Sequence, residues 1–334
     1  MRHFLWKGFL AAALLWQTSI FAQTTMSGGR GMLRVQSART VGPGNFYVCA
    51  YVLSYVEKVN SSLAKDHTMN VGFTFGLSNV LELTARLTPY QDIQSGIWGP
   101  PGDSEVGVKF HYPFTPDWFG LGLHGLLSIP TGSRHPVPYE PYSSGKLAWA
   151  LRGLVTLDMR ERSPIIPFQV NLNAGYQDND VKDRYFEDRK DQLLLGAGVK
   201  FPVGGSVLYL EYTAEVFVNN PDIPFGKNSM RITPGFKFVG PWNLIYDVAL
   251  DLSVTDERTK AGYPPYVRDY ADWKFIVGVT YPYSLMRYLR REKQLRREKN
   301  LKGMEEIRRK RMEAAKELEE LRKKLENEKK PKPE

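Results

Sequence analysis

Residues 81–88 read Leu-Glu-Leu-Thr-Ala-Arg-Leu-Thr. In an extended chain Leu81, Leu83, Ala85 and Leu87 share one side, and Glu82, Thr84, Arg86 and Thr88 share the other. Such alternation recurs through most of the chain up to residue 282, with no stretch of helical period among the strands. A chain made only of two-faced strands has two ways to hide its apolar sides. Two sheets can pack face to face around a soluble core, or one sheet can close into a ring with its apolar side toward lipid.

Length, loops and faces favour the ring. Strands are expected at 46–56, 67–77, 79–88, 103–112, 119–130, 147–158, 166–177, 191–201, 206–218, 229–239, 242–254 and 271–282. Most are longer than the five or six residues usual in sandwiches and suffice to cross a bilayer at a tilt. Links after even strands read short, such as "SN", "PVGGS" and "GP", while those after odd strands read long and polar, such as "TGSRHPVPYEPYSSG". Sorting by parity is the habit of outer-membrane barrels. The candidate outer faces carry no charge and often end in aromatics, as in Trp273, Phe275, Val277, Val279 and Tyr281. The reading is an all-β fold: an antiparallel transmembrane β-barrel of about twelve strands over 46–283, followed by a long charged C-terminal α-helix.

The ends differ from this body. Residues 1–22 have the form of a signal peptide: Arg2 and Lys7, then the apolar "GFLAAALLW", then "SIFA" ahead of Gln23. Residues 284–334 hold nineteen Lys and Arg against eleven Asp and Glu. With the two leading cations, that leaves residues 23–283 at −1 of the chain's +9. The basicity belongs to the tail, so it does not indicate nucleic acid, which an exported chain seldom meets. Met304, Ile307, Ala314, Leu318, Leu321 and Leu325 form a weak heptad seam there, broken by Arg311. The tail could be a solvated helix, a coiled-coil partner, or a basic surface for peptidoglycan, a periplasmic protein or anionic headgroups. Cys49, the only cysteine, reads as a small buried hydrophobe.

The phrases "GLSNVLELTARL", "GDSEVGVKFHYPF", "GLGLHGLLSIPTGS" and "FQVNLNAGYQDND" resemble the repeated strand and turn phrases of Gram-negative outer-membrane barrels. The phenol-degradation meta-pathway barrel family and OmpA-like barrels show them, and "GRGMLRVQSARTVGPG" resembles the segment that precedes strand one in several such barrels. The likeness covers about residues 28–282 and implies architecture far more than function. It implies a location in the outer membrane of a Gram-negative bacterium, with membrane lipid as surroundings and both termini periplasmic.

Expected lumen-lining acids are Glu82, Glu105, Asp158, Glu211, Glu215, Asp247 and Asp251. Expected bases are Arg86, Lys109, Arg152, Lys200, Arg231, Lys237 and Lys274. They either tune the passage of small solutes or form a structural ion-pair network, and their equal numbers argue against strong charge selection. Residues 23–45 contain Arg30, Arg34 and Arg39 and no acid. They are either a periplasmic leader or a plug whose arginines pair with Glu211, Glu215, Asp247 or Asp251. Catalysis has little support: His111 and His124 fall inward, near Lys109 and Ser128, without a nucleophile elbow. No metal-ligand spacing or cofactor motif occurs. The expected function is therefore a narrow passive pore. The alternatives are a closed structural barrel or, less favoured, a lipid enzyme.

Overall fold

The computed structural model describes residues 23–59, 62–91, 101–132, 145–160, 162, 167–183, 189–221, 223–255 and 271–285. The expected signal peptide and the expected helical tail beyond Leu285 lie outside them. Among the described residues no helix is long and apolar enough to cross a membrane.

Twelve strands form one closed antiparallel barrel: β1 (Asn45–Val59), β2 (Ser62–Gly76), β3 (Leu81–Gln91), β4 (Ser104–His111), β5 (Phe119–Ile129), β6 (Ala148–Asp158), β7 (Gln169–Asp178), β8 (Gln192–Val203), β9 (Ser206–Phe217), β10 (Ser229–Val239), β11 (Ile245–Ser253) and β12 (Trp273–Ser284). Each strand neighbours the next in sequence, and β12 returns to β1. Closure leaves no sheet edge with unpaired peptide groups.

Alternation decides which side is out. Leu81, Leu83 and Leu87 are exposed, whereas Glu82, Thr84 and Thr88 are buried. On β12, Trp273, Phe275, Val277 and Tyr281 are exposed, and Lys274, Ile276 and Thr280 are buried. The outer wall is thus an aliphatic band. Phe114 and Trp242, each 82% exposed, stand out from links at the end of the barrel where β1 begins.

One link departs from the expected parity. The connection after β1 was read as long, but β1 and β2 extend to Val59 and Ser62, leaving two residues between them. The polar residues there continue the ladder, with Val59 opposite Ser62. The other odd links run long as expected, at 92–103, 130–147, 179–191, 218–228 and 254–272. The end that carries them is called the loop end below, and the opposite one the turn end.

Two glycines are fixed by tyrosines lying across them. Gly235 on β10 pairs with Tyr209 on β9, and a Cβ at Gly235 would sit 2.1 Å from the Tyr209 ring. At Gly278 on β12 a Cβ would meet the Tyr51 ring at 2.1 Å. Both tyrosine hydroxyls donate to Asp247, at 2.7 Å from Tyr209 and 3.0 Å from Tyr51. The glycines let two large rings lie flat on the inner wall and reach one carboxylate.

Gly235→Ala is expected to displace the Tyr209 ring and cost about 1–3 kcal/mol, measured by urea unfolding in detergent. In a Tyr209→Ala background the same change should cost much less, because the clash is gone. Equal costs in both backgrounds would refute the ring-over-glycine account.

Candidate functional site: a lumen filled by the chain's own N-terminal segment

Residues 23–44 lie inside the ring. Their hydrogen bonds reach inward-facing groups on β2, β3, β6, β7, β9, β10 and β11, a set that only a segment crossing the lumen can touch. The segment folds back on itself through bridges between Thr24 and Arg30 and between Gly31 and Gln36. Gly28 and Gly29, with φ of 80° and 88°, make that reversal. A Cβ on Gly28 would lie 2.6 Å from the Phe73 carbonyl oxygen, so both the left-handed backbone and the close approach call for glycine.

Glu211 on β9 is the principal anchor. Its carboxylate accepts the backbone N–H groups of Leu33 at 3.1 Å, Arg34 at 3.0 Å and Val35 at 2.8 Å. Glu82 on β3 accepts those of Arg30 at 3.0 Å and Val41 at 2.6 Å, and its Oε1 lies 2.5 Å from Lys109 Nζ. Asn173 both accepts from Gln36 N and donates to Gln36 O. Thr74 accepts from Gly29 N and Thr156 from Ala38 N. Lys237 Nζ donates to the carbonyls of Thr24 and Met32 and lies 3.2 Å from Asp247. Between these polar anchors Met26, Met32, Leu33 and Val35 pack against Cys49, Tyr51, Leu53, Tyr209, Ala249 and Ile276. Cys49 is buried and unbridged, its Sγ donating to Thr25 O at 3.5 Å.

The three arginines divide their tasks. Arg34 forks onto Asp251, with contacts of 2.8 and 2.5 Å. Burial disfavours its charge, but Asp251, with Glu211 and Glu215 farther off, outweighs that and holds the guanidinium above its ordinary range. Arg39 lies 3.5 Å from Asp158, which Arg160 also grips. Arg30 donates to Thr40 O instead of to a carboxylate. Burial, then repulsion from Arg160 and Arg39, pulls its guanidinium below its ordinary value. Of the four acids expected to receive arginines, Asp251 does so at contact distance. Glu211 is occupied by peptide N–H groups and Asp247 by Tyr51, Tyr209 and Lys237, while Glu215 lies 4.0 Å from Arg231 of the wall.

The fourteen wall charges expected from sequence sit on inward positions of their strands. Arg86 contacts Glu105 at 2.5 Å across β3 and β4, and Lys274 stands opposite Asp251 in the β11–β12 register. Lys200 is buried opposite Gln169. Toward the loop end a cavity of about 160 Å³ remains above the segment. Its floor is Met26, Ser27, Arg34 and Val35, and its walls include Leu53, Arg86, Glu105, Arg152, Leu194, Glu215 and Arg231.

The histidines do not assemble a hydrolytic site. His124 Nε2 meets Thr84 Oγ1 at 3.0 Å, and His111 Nδ1 meets Leu121 O at 3.1 Å. In the register His124 stands between Lys109 on β4 and Arg152 on β6, while Ser128, on its own strand, stands opposite Glu105. Sequence reasoning missed a Ser–His contact elsewhere: His67 Nδ1 lies 3.1 Å from Ser54 Oγ on the outer face of β1 and β2. Among the described residues no carboxylate orients that imidazole, and no group of His, Cys, Asp and Glu is placed to hold a metal ion.

No protein-family model matches the sequence, and neither does any curated protein sequence. The fold is similar to that of solved outer-membrane channels. A KdgM porin matches with a TM-score of 0.46 and 9% identity, over 70% of this chain and 98% of that one. The COG4313 outer membrane channel from Pseudomonas putida F1 matches with a TM-score of 0.48 and 10% identity, over 74% and 98%. The CymD monoaromatic hydrocarbon channel matches with a TM-score of 0.34 and 9% identity, over 73% and 89%.

Glu211→Ala would strand the three peptide N–H groups in the lumen. Unpartnered buried donors cost about 1–3 kcal/mol each, so the loss should be large and show as a lowered urea midpoint. Glu211→Gln keeps one acceptor oxygen and should lose less. Limited proteolysis should then cut within residues 23–44 of the Ala variant while sparing the wild type.

Proposed function

We propose that the chain is a passive outer-membrane channel for small solutes, held closed in this state by residues 23–44. One observation carries the reading: an uncharged, aromatic-ended outer wall surrounds a lumen lined with acids and bases. A soluble protein has no use for such an outer wall, and a lipid-facing barrel requires it. The wall offers charged and polar groups along the lumen, and the segment fills it through hydrogen bonds, ion pairs and apolar contacts.

A second reading has its own support. Met32 and Leu33 are fully buried and the segment is held by both peptide and side-chain bonds, as expected of a permanently closed structural barrel. In either case the turn end is the periplasmic face, with both termini on it. Residues 1–22 would be the export signal, and residues 284–334 a charged helical tail that contacts peptidoglycan or a periplasmic protein. The phrase-level resemblance to the meta-pathway and OmpA-like barrels fits the same setting.

Planar-bilayer recording separates the two readings. Wild-type protein should show small unitary currents, and deletion of residues 24–42 should enlarge them several-fold. A folded deletion variant with no more conductance than the wild type would favour the closed barrel. Membrane embedding has its own check. Leu83→Arg should cost about 2–4 kcal/mol in a bilayer, while Leu77→Arg, at the turn end, should cost about 0–1 kcal/mol.

A further inference from the structure

The cavity above the segment contains an arginine with no partner at contact distance among the described residues, attracted only from farther off by Glu105 and Glu215. Arg152, on β6, lines it and makes no ion pair or hydrogen bond among the described residues, and its Nε is shut off from solvent without an acceptor. The other three arginines of the cavity are matched. Arg34 has Asp251, Arg86 has Glu105, and Arg231 donates to Ser229 and lies 4.0 Å from Glu215. A guanidinium stays protonated at any working pH and is costly to bury alone. Four arginines thus share three carboxylates, Asp251, Glu105 and Glu215, and Arg152 is the one left without a contact, its buried Nε lacking an acceptor. The Arg86 Nε, likewise buried and unanswered, is a further donor on the same cavity.

We propose that this cavity binds a small organic carboxylate, with Arg152 as the forked partner of its oxygens. The reading rests on the channel proposal for access to the lumen, although binding can be measured without transport. Planar guanidinium donors suit a carboxylate in two-point contact. The body of the ligand is set by the rest of the lining: Met26, Val35, Leu53 and Leu194 give apolar surface among the arginines. The volume of about 160 Å³ is comparable to that of a cavity of about 150 Å³ that holds benzene. The fit is one carboxylate on a compact body of about six carbons. Inorganic phosphate shares the anionic chemistry but lacks the body.

Calorimetric titration of the full chain in detergent tests the site, with cyclohexanecarboxylate and inorganic phosphate as probes. Wild-type protein should bind the carboxylate saturably, one to one, and tighter than phosphate. Arg152→Gln should weaken it about tenfold or more, as loss of a hydrogen bond to a charged group does. Leu194→Phe fills the cavity while keeping Arg152, and should weaken the carboxylate too, which protects the test should Arg152→Gln fold poorly. Absence of saturable binding by wild type would overturn the proposal. So would unchanged binding in a folded Arg152→Gln variant, or phosphate binding as tightly as the carboxylate. Conductance of the same preparation keeps the two readings apart. Currents without binding remove the site and leave the channel; binding without currents leaves the site and removes the channel.

Discussion

A peptide segment inside a barrel cannot pair with the wall in the ordinary way, because every strand has spent its N–H and C=O groups on its neighbours. Some N–H groups of residues 29–41, such as those of Gly31, Met32 and Ser37, pair within the folded-back segment, and most of the rest find acceptors on inward side chains. Glu82, Glu211, Asn173, Thr74 and Thr156 are those acceptors. This requirement explains much of the interior. It sets two carboxylates, Glu82 and Glu211, against peptide N–H groups in place of the segment's guanidinium groups, with Lys109 beside Glu82. The tyrosine rings over Gly235 and Gly278 belong to the same arrangement, since they hold Asp247 beside Lys237.

Electrostatics follows from occupancy. The wall residues expected from sequence balance, seven acids against seven bases, and on that count the lumen would favour neither sign. Residues 23–44 bring in Arg30, Arg34 and Arg39 with no acid, and Arg160 joins them at Asp158. Against the fourteen wall charges expected from sequence, the segment therefore adds three cations and no acid. The charge met inside this barrel comes from the inserted segment as well as from the strands.

Strand positions and faces could be read from the chain because period-two alternation has one cause, a wall with unlike sides. Leu83 outward and Glu82 inward needed only that rule. The link between β1 and β2 could not be read, since polar residues there looked like loop when they continue the ladder beyond the band of alternation. At the lumen, the inward side of each charge was visible, but its partner was not. Partnership depends on stagger around a closed ring, which places Glu211 against Leu33 across 178 positions of sequence. The Arg34–Asp251 pair was among the options that arginine chemistry suggests. The use of Glu211 as an acceptor for three successive peptide N–H groups had no sequence signal, because backbone donors are the same at every residue. Nor did the isolation of Arg152, which is visible only once its neighbours have been matched with one another.

The anchoring of the segment sets an order on assembly. Residues 23–44 are the first of the body to be made, yet their strongest holds are on β9 and β11, among the last. No hold there can form until those strands have arrived. Once β12 has met β1, the ring offers no side through which a folded-back segment could slip, only its two mouths. Residues 23–44 are therefore either gathered in as the wall curls around them, with the seam between the first and last strands shut over cargo already in place, or threaded later through a mouth. On the first route, a variant that lost the Glu211 contacts would close around water before any equilibrium measure of its strength applied.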